Sequence, residues 1–221
     1  MADYRNLINF IKSKEGGISS DPKDTASRNS SPCGLRNGFP IHTNKGVTWS
    51  TFTGLARKLG YNPTCNNFLK MPDEIWGLIY KDGYWNPMKC DDIRNQAIAN
   101  TFVEMAWGSG TVGATNLLRQ FFKKEYGKSF NNIGQMVAFV NDLDRKGKTP
   151  ELFEKLYDFR ANKYATFKSA KTHLRGWMNR LDAFYLLNKP YALSTGNKFA
   201  LVLGIGLIAL GGAYLYVRTR K

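Results

Sequence analysis

Apolar residues recur at helical spacing from the very start of the chain. Tyr4, Leu7, Ile8 and Ile11 fall at i, i+3, i+4 and i+7, which predicts an amphipathic helix over 3–14, capped by Asp3 and stopped by Gly16-Gly17. From Ile18 to Thr48 the period is lost. Pro22, Pro32, Gly34, Gly38, Pro40 and Gly46 punctuate this stretch too often for a long helix, and it is too long for a plain connection. A small hairpin or irregular lobe is expected there. Helical patterns then return. Ser50 caps a short helix that buries Phe52, Leu55, Ala56 and Leu59 and closes at Gly60; Pro72-Asp73-Glu74 opens another that runs through Tyr80 toward Trp85. A third, Asp91 to Trp107, carries Ile93, Ala97, Ile98, Phe102 and Met105 inward and ends at Gly108-Ser109-Gly110. Further helices are expected near 111–126, 130–145 and 150–187, the last broken around 170. The chain therefore reads as mainly α, with a small irregular or β lobe near its N-terminus.

The end of the chain reads differently. Asn188 to Asn197, with Pro190, Ser194, Thr195 and Gly196, has the composition of a linker, placed at 188–198. Phe199 to Val217 then runs without a charge, flanked by Lys198 on one side and by Arg218, Arg220 and Lys221 on the other. At 1.5 Å per residue such a run spans roughly 28 Å, about the thickness of a bilayer's hydrocarbon core. Tyr214 and Tyr216 sit near one end, as interfacial aromatics do. A single transmembrane helix over 199–217 is expected, with the lipid bilayer as a partner. Basic residues flank both ends, so charge gives no orientation. Ala200/Gly204 and Ala209/Ala213 have the small-residue spacing that permits close helix contact, which leaves a homo-oligomer open.

Charge narrows the range of partners. The 221 residues hold 32 Lys+Arg against 17 Asp+Glu, a formal net charge of +15. A polyanion is implied, and cell wall, anionic lipid and nucleic acid all qualify. Composition excludes a disordered or acidic solvating protein, at 43% hydrophobic and 14% aromatic. The three cysteines, Cys33, Cys65 and Cys90, allow one bridge in an oxidising compartment, with the pairing open. His42 and His173 are too few for a histidine-rich metal site and read as surface or cap residues; no metal and no cofactor are expected. No secretory leader is visible at the N-terminus.

One constellation could carry chemistry. Glu15-Gly16-Gly17 closes the first helix, and Asp21-Pro22-Lys23-Asp24 follows across a turn. Two carboxyls facing one another suit glycoside hydrolysis: one gives a proton to the leaving oxygen, the other activates water or stabilises the oxocarbenium charge. Burial against apolar walls would help Glu15 keep its proton, and Lys14 is expected to point to solvent.

Five motifs stand in order along the chain: Glu15-Gly16-Gly17 with Asp21-Pro22-Lys23-Asp24; Thr43-Asn44-Lys45-Gly46-Val47-Thr48; Tyr80 to Pro87; Phe102 to Gly110; and Arg175-Gly176-Trp177. Over the first 190 residues this pattern resembles glycoside hydrolase family 108, muramidases with a lysozyme-like helical fold, often joined to a peptidoglycan-binding helical half. The resemblance implies an α+β lysozyme-like fold, a catalytic half at 1–90 and a peptidoglycan-binding-like half at 91–187. It implies Glu15 as general acid, Asp24 as partner carboxylate, and Thr43 or Thr48 as holders of the attacking water. Asn44, Tyr84 and Trp85 are read as substrate contacts, Tyr84 and Trp85 by stacking on sugar rings; Trp76, Trp107 and Trp177 are assigned to core packing. The chain departs from the family in three places. An insertion runs from Thr25 through His42, Gly108 replaces the Asn of Asn-Ser-Gly, and Glu104 stands where the family has Asp.

The resulting expectation is a membrane-anchored muramidase that cleaves the β-1,4 bond between N-acetylmuramic acid and N-acetylglucosamine. Its substrate and partner is peptidoglycan, with no specific nucleic acid. An anchored wall hydrolase of this kind suggests a phage lytic or virion-associated enzyme, in the host inner membrane or the internal membrane of a virion. The alternative is an inactive, membrane-anchored wall-binding or structural virion protein.

Overall fold

The computed structural model describes residues 1–194. The transmembrane expectation at 199–217 lies outside the described residues. No helix among the described residues is long and apolar enough to cross a membrane.

Asp3 caps the start of the chain by accepting from the Arg5 N–H, and a 3-10 turn at Tyr4–Leu7 leads into helix α1, Ile8–Lys14. Leu7 and Ile11 are buried, as their spacing requires. The punctuated stretch that follows is the β lobe. It holds β1 (Ile18–Ser19), β2 (Leu35–Arg36), β3 (Phe39–Pro40), β4 (Thr43–Asn44) and β5 (Val47–Thr48). β1, β4 and β5 form an antiparallel sheet in that order, with Ser19 opposite Thr43 and Thr43 opposite Thr48; β2 and β3 form a separate hairpin. The strands are two residues each because glycines and prolines break every run. The lobe is therefore held by side chains and by a disulfide between Cys33 and Cys65, with Cys90 free and buried. The bridge ties the insertion to the foot of a helix absent from the periodicity: α3 (Cys65–Lys70), capped by Thr64, lies beyond α2 (Trp49–Lys58).

The cap of α2 corrects the sequence reading by two residues. Thr48, not Ser50, accepts from the Thr51 N–H at 3.2 Å. Helix α4 (Asp73–Tyr80) runs straight into a π turn at Lys81–Trp85. The 31-residue α5 (Gln96–Tyr126) starts at Asn95 rather than Asp91, because the Asn95 carboxamide accepts from the Ala97 and Ile98 N–H groups. It bends at Gly110, whose φ of 72° and ψ of 160° are not helical; this is the expected stop at Gly108-Ser109-Gly110, realised as a kink. Helices α6 (Ile133–Arg145), α7 (Thr149–Thr166) and α8 (Ala170–Leu193) complete the order. The break near 170 is present between α7 and α8. The linker reading fails for 188–193: these residues continue α8, with Pro190 in its last turn, and Asn188 and Ala192 are buried in the core.

α5 is the central element. Asn100, fully buried on it, donates to Asn6 at 2.8 Å and to Asn188 at 2.6 Å, so the first turn, α5 and α8 meet around one carboxamide. Asp3 N–H donates to Gln96, and Asn6 donates to the Tyr191 hydroxyl. The part after residue 90 thus packs directly on the opening segment, with α5 serving both.

The Cys33–Cys65 bridge closes a loop of 32 residues in sequence separation. Chain-entropy arguments assign such a closure about 3–4 kcal/mol. Replacing both cysteines with serine should lower the melting temperature by roughly 10 °C in a thermal scan, whereas Cys90→Ser should not reproduce the loss of a cross-link.

Candidate active site

Glu15 is the C-cap of α1. Its own N–H closes the helix onto the Ile11 carbonyl, while its backbone turns extended. The side chain is thereby swung off the helix toward the turn between β4 and β5. Gly46 lies at that turn with φ +77°, and a β-carbon there would stand 2.5 Å from Glu15 Oε2. Only glycine permits both the left-handed backbone and the close approach of the carboxylate. The turn is fixed from behind: Trp76 Nε1–H donates to the Lys45 carbonyl at 3.0 Å, Lys45 Nζ donates to the Met71 carbonyl at 2.9 Å, and Asn44 donates to the Phe68 and Leu69 carbonyls.

Two donors converge on the other carboxylate oxygen. Trp107 Nε1–H donates to Glu15 Oε1 at 2.8 Å, and Arg180 Nη1 donates to the same atom at 2.9 Å. Trp107 is held in place by rings on three sides, with centroids of Trp76 at 5.1 Å, Tyr80 at 6.0 Å and Tyr84 at 4.8 Å. Arg180 reaches the site from α8, and its Nε donates to Glu104 Oε1 at 2.9 Å. Glu104, on α5, also pairs with Arg160 of α7, which in turn donates to the Tyr164 hydroxyl. The result is a chain of alternating charges, Glu15–Arg180–Glu104–Arg160, that runs from a half-open end into the core. The Glu15 side chain is 16% exposed and that of Glu104 is 3% exposed. Burial pushes the Glu104 carboxyl up, but Arg160 and Arg180 outweigh it and hold it below the usual carboxylate range. Burial opposes the Arg180 charge, and the carboxylates of Glu104 and Glu15 overcome it.

The remaining predicted residues fall into two groups. Thr43 and Thr48 are cross-strand partners on the two strands flanking Gly46, and so share the turn with Glu15. The Thr48 hydroxyl is occupied as the cap of α2, bonded to Thr51. Thr43 Oγ1 lies 2.8 Å from His42 Nδ1, while His42 Nε2 faces the Asp21 carbonyl at 3.2 Å. A carbonyl only accepts, so Nε2 carries the proton. In the neutral ring Nδ1 then accepts from the Thr43 hydroxyl, whose lone pairs remain open to a water proton. His42 is fully buried, which corrects its reading as a surface or cap residue. Tyr84 is half-buried against Trp107; burial raises its hydroxyl above the ordinary tyrosine range and the Glu15 charge adds to this, while a hydrogen bond from Thr51 opposes it.

Two readings are corrected, by burial and by local bonding. Trp85 is fully buried and donates to Asp91 at 2.7 Å, so its ring offers no face for a sugar. Asn44 is buried, and its amide is spent on α3 carbonyls, as a brace for the turn rather than a substrate contact. Asp24 is exposed and caps its own 3-10 turn through a bond from the Ala26 N–H at 2.9 Å; the insertion after it begins with that turn. Trp107, read as core, is buried in the core and is also a direct partner of Glu15, and Arg180 and Glu104 complete the set that sequence reasoning did not assemble. Lys14 does point outward, over the Phe10 ring. A shallow surface depression of about 600 Å3 is lined by Lys81, Asn86, Lys89, Asp91 and Asp92, without Glu15; its charges are of both signs and balance locally. Among the described residues no group of three or more His, Cys, Asp or Glu could hold a metal ion.

Residues 8–110 match the family Glycosyl hydrolase 108. Among solved structures, one described as the structure of Brucella abortus SagA is similar, with a TM-score of 0.60 and 20% identity, covering 90% of this chain and 98% of that one. At that identity the likeness speaks for a shared fold. No curated protein matches the chain.

Two stability measurements follow from this geometry. Gly46→Ala should cost about 1–2 kcal/mol from its backbone conformation alone, and more from the clash with Glu15. In a Glu15→Ala background the cost should shrink, a coupling that a double-mutant cycle in urea reads directly. Glu104→Gln leaves two arginines facing a neutral amide and should cost about 3–5 kcal/mol. Because the Glu104 carboxyl is held low in the folded state, its contribution is present above the unfolded value and lost as pH falls through the folded one. The variant's unfolding free energy should therefore fall less steeply than the wild type's below about pH 4.5.

Proposed function

We propose that this protein is a peptidoglycan hydrolase of the muramidase type, with Glu15 as its general acid. The observation that carries the reading is the Glu15 carboxyl itself. It is held at the end of α1 against Gly46, partly open, with both N–H donors on one oxygen, inside the segment that matches Glycosyl hydrolase 108. Oε1 accepts from Trp107 and Arg180, so the proton to be delivered belongs on Oε2.

In this reading the Oε2–H bond breaks and its proton goes to the glycosidic oxygen. The bond from that oxygen to the anomeric carbon of N-acetylmuramic acid breaks, and its electron pair leaves with the oxygen as the 4-hydroxyl of N-acetylglucosamine. A water positioned by the Thr43 hydroxyl adds to the anomeric carbon. The proton it sheds goes to Asp24, the exposed carboxylate on the same lobe. Tyr84, beside Trp107, offers the half-exposed ring for a sugar face. The net charge of +15 favours a polyanionic wall as the place of action. The apolar run 199–217 supports a bilayer anchor, hence a lytic or virion-associated enzyme of a phage at the host inner membrane or a virion membrane.

Digestion of purified peptidoglycan by the full chain, read as new reducing ends on muramic acid, tests the assignment. Wild type should release them. Glu15→Gln should lower the rate by about 10²–10⁴-fold, the usual worth of a general acid, without loss of fold by circular dichroism. Asp24→Asn should cost less than Glu15→Gln. Undiminished release by Glu15→Gln rejects Glu15 as the acid, and wall binding without release by the wild type would favour an inactive wall-binding protein.

A further inference from the structure

We propose that Arg180, on α8 and outside the segment that matches the family, is a positioning residue for Glu15, and that Glu104 is the fixed post from which it acts. The inference rests on the assignment of Glu15 as the acid.

The argument starts from the guanidinium fork. Arg180 places Nε on Glu104 and Nη1 on Glu15, each at 2.9 Å, so one rigid plane spans two carboxylates. Its Nη2 is buried without an acceptor among the described residues. An arginine serving only to neutralise the buried Glu104 would not need to extend to a half-open carboxylate, since Arg160 already occupies the other oxygen of Glu104. Glu104 cannot move to follow Arg180, because Arg160 pins it from α7. The position of Arg180, and with it the orientation of Glu15, is therefore dictated by the core. Trp107 shares Oε1 with Arg180, and the two donors together turn Oε2 outward against Gly46.

Among the described residues, Arg180 also supplies the one formal charge bonded to Glu15. The other charged groups around the site are engaged elsewhere, and two tyrosines stand beside them. From α1, Lys14 lies over Phe10, and Lys12 pairs with Asp73 and covers Trp76. From the β4–β5 turn, Lys45 pairs with Asp73 and the Met71 carbonyl, and His42 bonds Thr43. From α4 and the π turn come the buried Tyr80 and the half-buried Tyr84; from α5 and α7 come Glu104 and Arg160. Removing the Arg180 charge therefore takes away the cation bonded to Glu15. It withdraws a cation that favours the carboxylate, so Glu15 should hold its proton to higher pH.

The test follows the Glu15 carboxyl directly. Full-length protein labelled with ¹³C at glutamate side-chain carboxyls is titrated by NMR, the Glu15 resonance being the one lost in Glu15→Gln. In Arg180→Met its midpoint should move up by about one pH unit. In Arg180→Lys, which keeps the charge but not the two-pronged fork, it should stay within a few tenths of wild type. In parallel, peptidoglycan cleavage by Arg180→Met should lose kcat at least tenfold with KM within about twofold, and the basic limb of its pH profile should move up with the NMR midpoint. Arg180→Lys should restore the limb while recovering only part of kcat. An unchanged midpoint in folded Arg180→Met overturns the proposal, as does a loss of rate in Arg180→Met that Arg180→Lys rescues completely. A midpoint that shifts in Arg180→Met while the wild type cleaves no peptidoglycan would keep Arg180 as the residue that sets Glu15 and reject the hydrolase reading instead. Should Arg180→Met fail to fold, Arg180→Gln, which drops the charge and can still donate to Glu104 from about the place of Nε, carries the same expected shift.

Discussion

A buried alternation of charge governs this molecule. Glu104 sits on the central helix with its oxygens shared between Arg160 of α7 and Arg180 of α8, and Arg180 continues outward to Glu15 at the end of α1. Isolated, any of these charges would be costly to bury. Together they neutralise one another, and the geometry in which they do so fixes three helices relative to the first. Such a chain is weak evidence for stability as such, since a hydrophobic replacement of similar volume can be equally stable. It is stronger evidence for position: it leaves the outermost carboxylate partly open and oriented by the core.

That constraint ties the helical part after residue 90 to the segment that carries Glu15. α5 carries Trp107 and Glu104, and α8 carries Arg180; both complete the surroundings of Glu15. The carboxamide cluster of Asn6, Asn100 and Asn188 repeats the arrangement at the other end of α1, where neutral hydrogen bonds bring the same three elements together. The segment 8–110 that matches Glycosyl hydrolase 108 ends at Gly110, where α5 kinks. The residues beyond that kink still reach back to the acid.

The β lobe works by a different economy. Its strands are too short to hold themselves together by ladder hydrogen bonds, so the turn that carries Gly46 is braced from α3 and α4 through Asn44, Lys45 and Trp76, and the insertion is tied down by Cys33–Cys65. Rigidity of the turn matters because the carboxylate lies on it. A turn free to move would release Oε2, and a side chain at position 46 would displace it.

Periodicity alone disclosed α1, α2, α4 and the later helices, because burying one face of a helix writes itself into the spacing of apolar residues. The place of Glu15 was legible too, since a carboxyl directly before Gly-Gly at a helix end is a local fact. Periodicity missed α3, whose six residues carry too little apolar pattern, and it ended α8 too early, because Pro190 is tolerated in a last turn whose buried Asn188 and Ala192 no polar–apolar count reveals. The roles of Trp85 and Asn44 were misjudged for one reason: residue type and order tell which groups can bind a sugar, but exposure and bonding partner depend on contacts between segments far apart in the chain. Arg180 is 165 positions from Glu15. Nothing local in either neighbourhood records that they meet; only the packing of α8 on α5 and α1 brings a cation to the acid and decides which of its two oxygens faces outward.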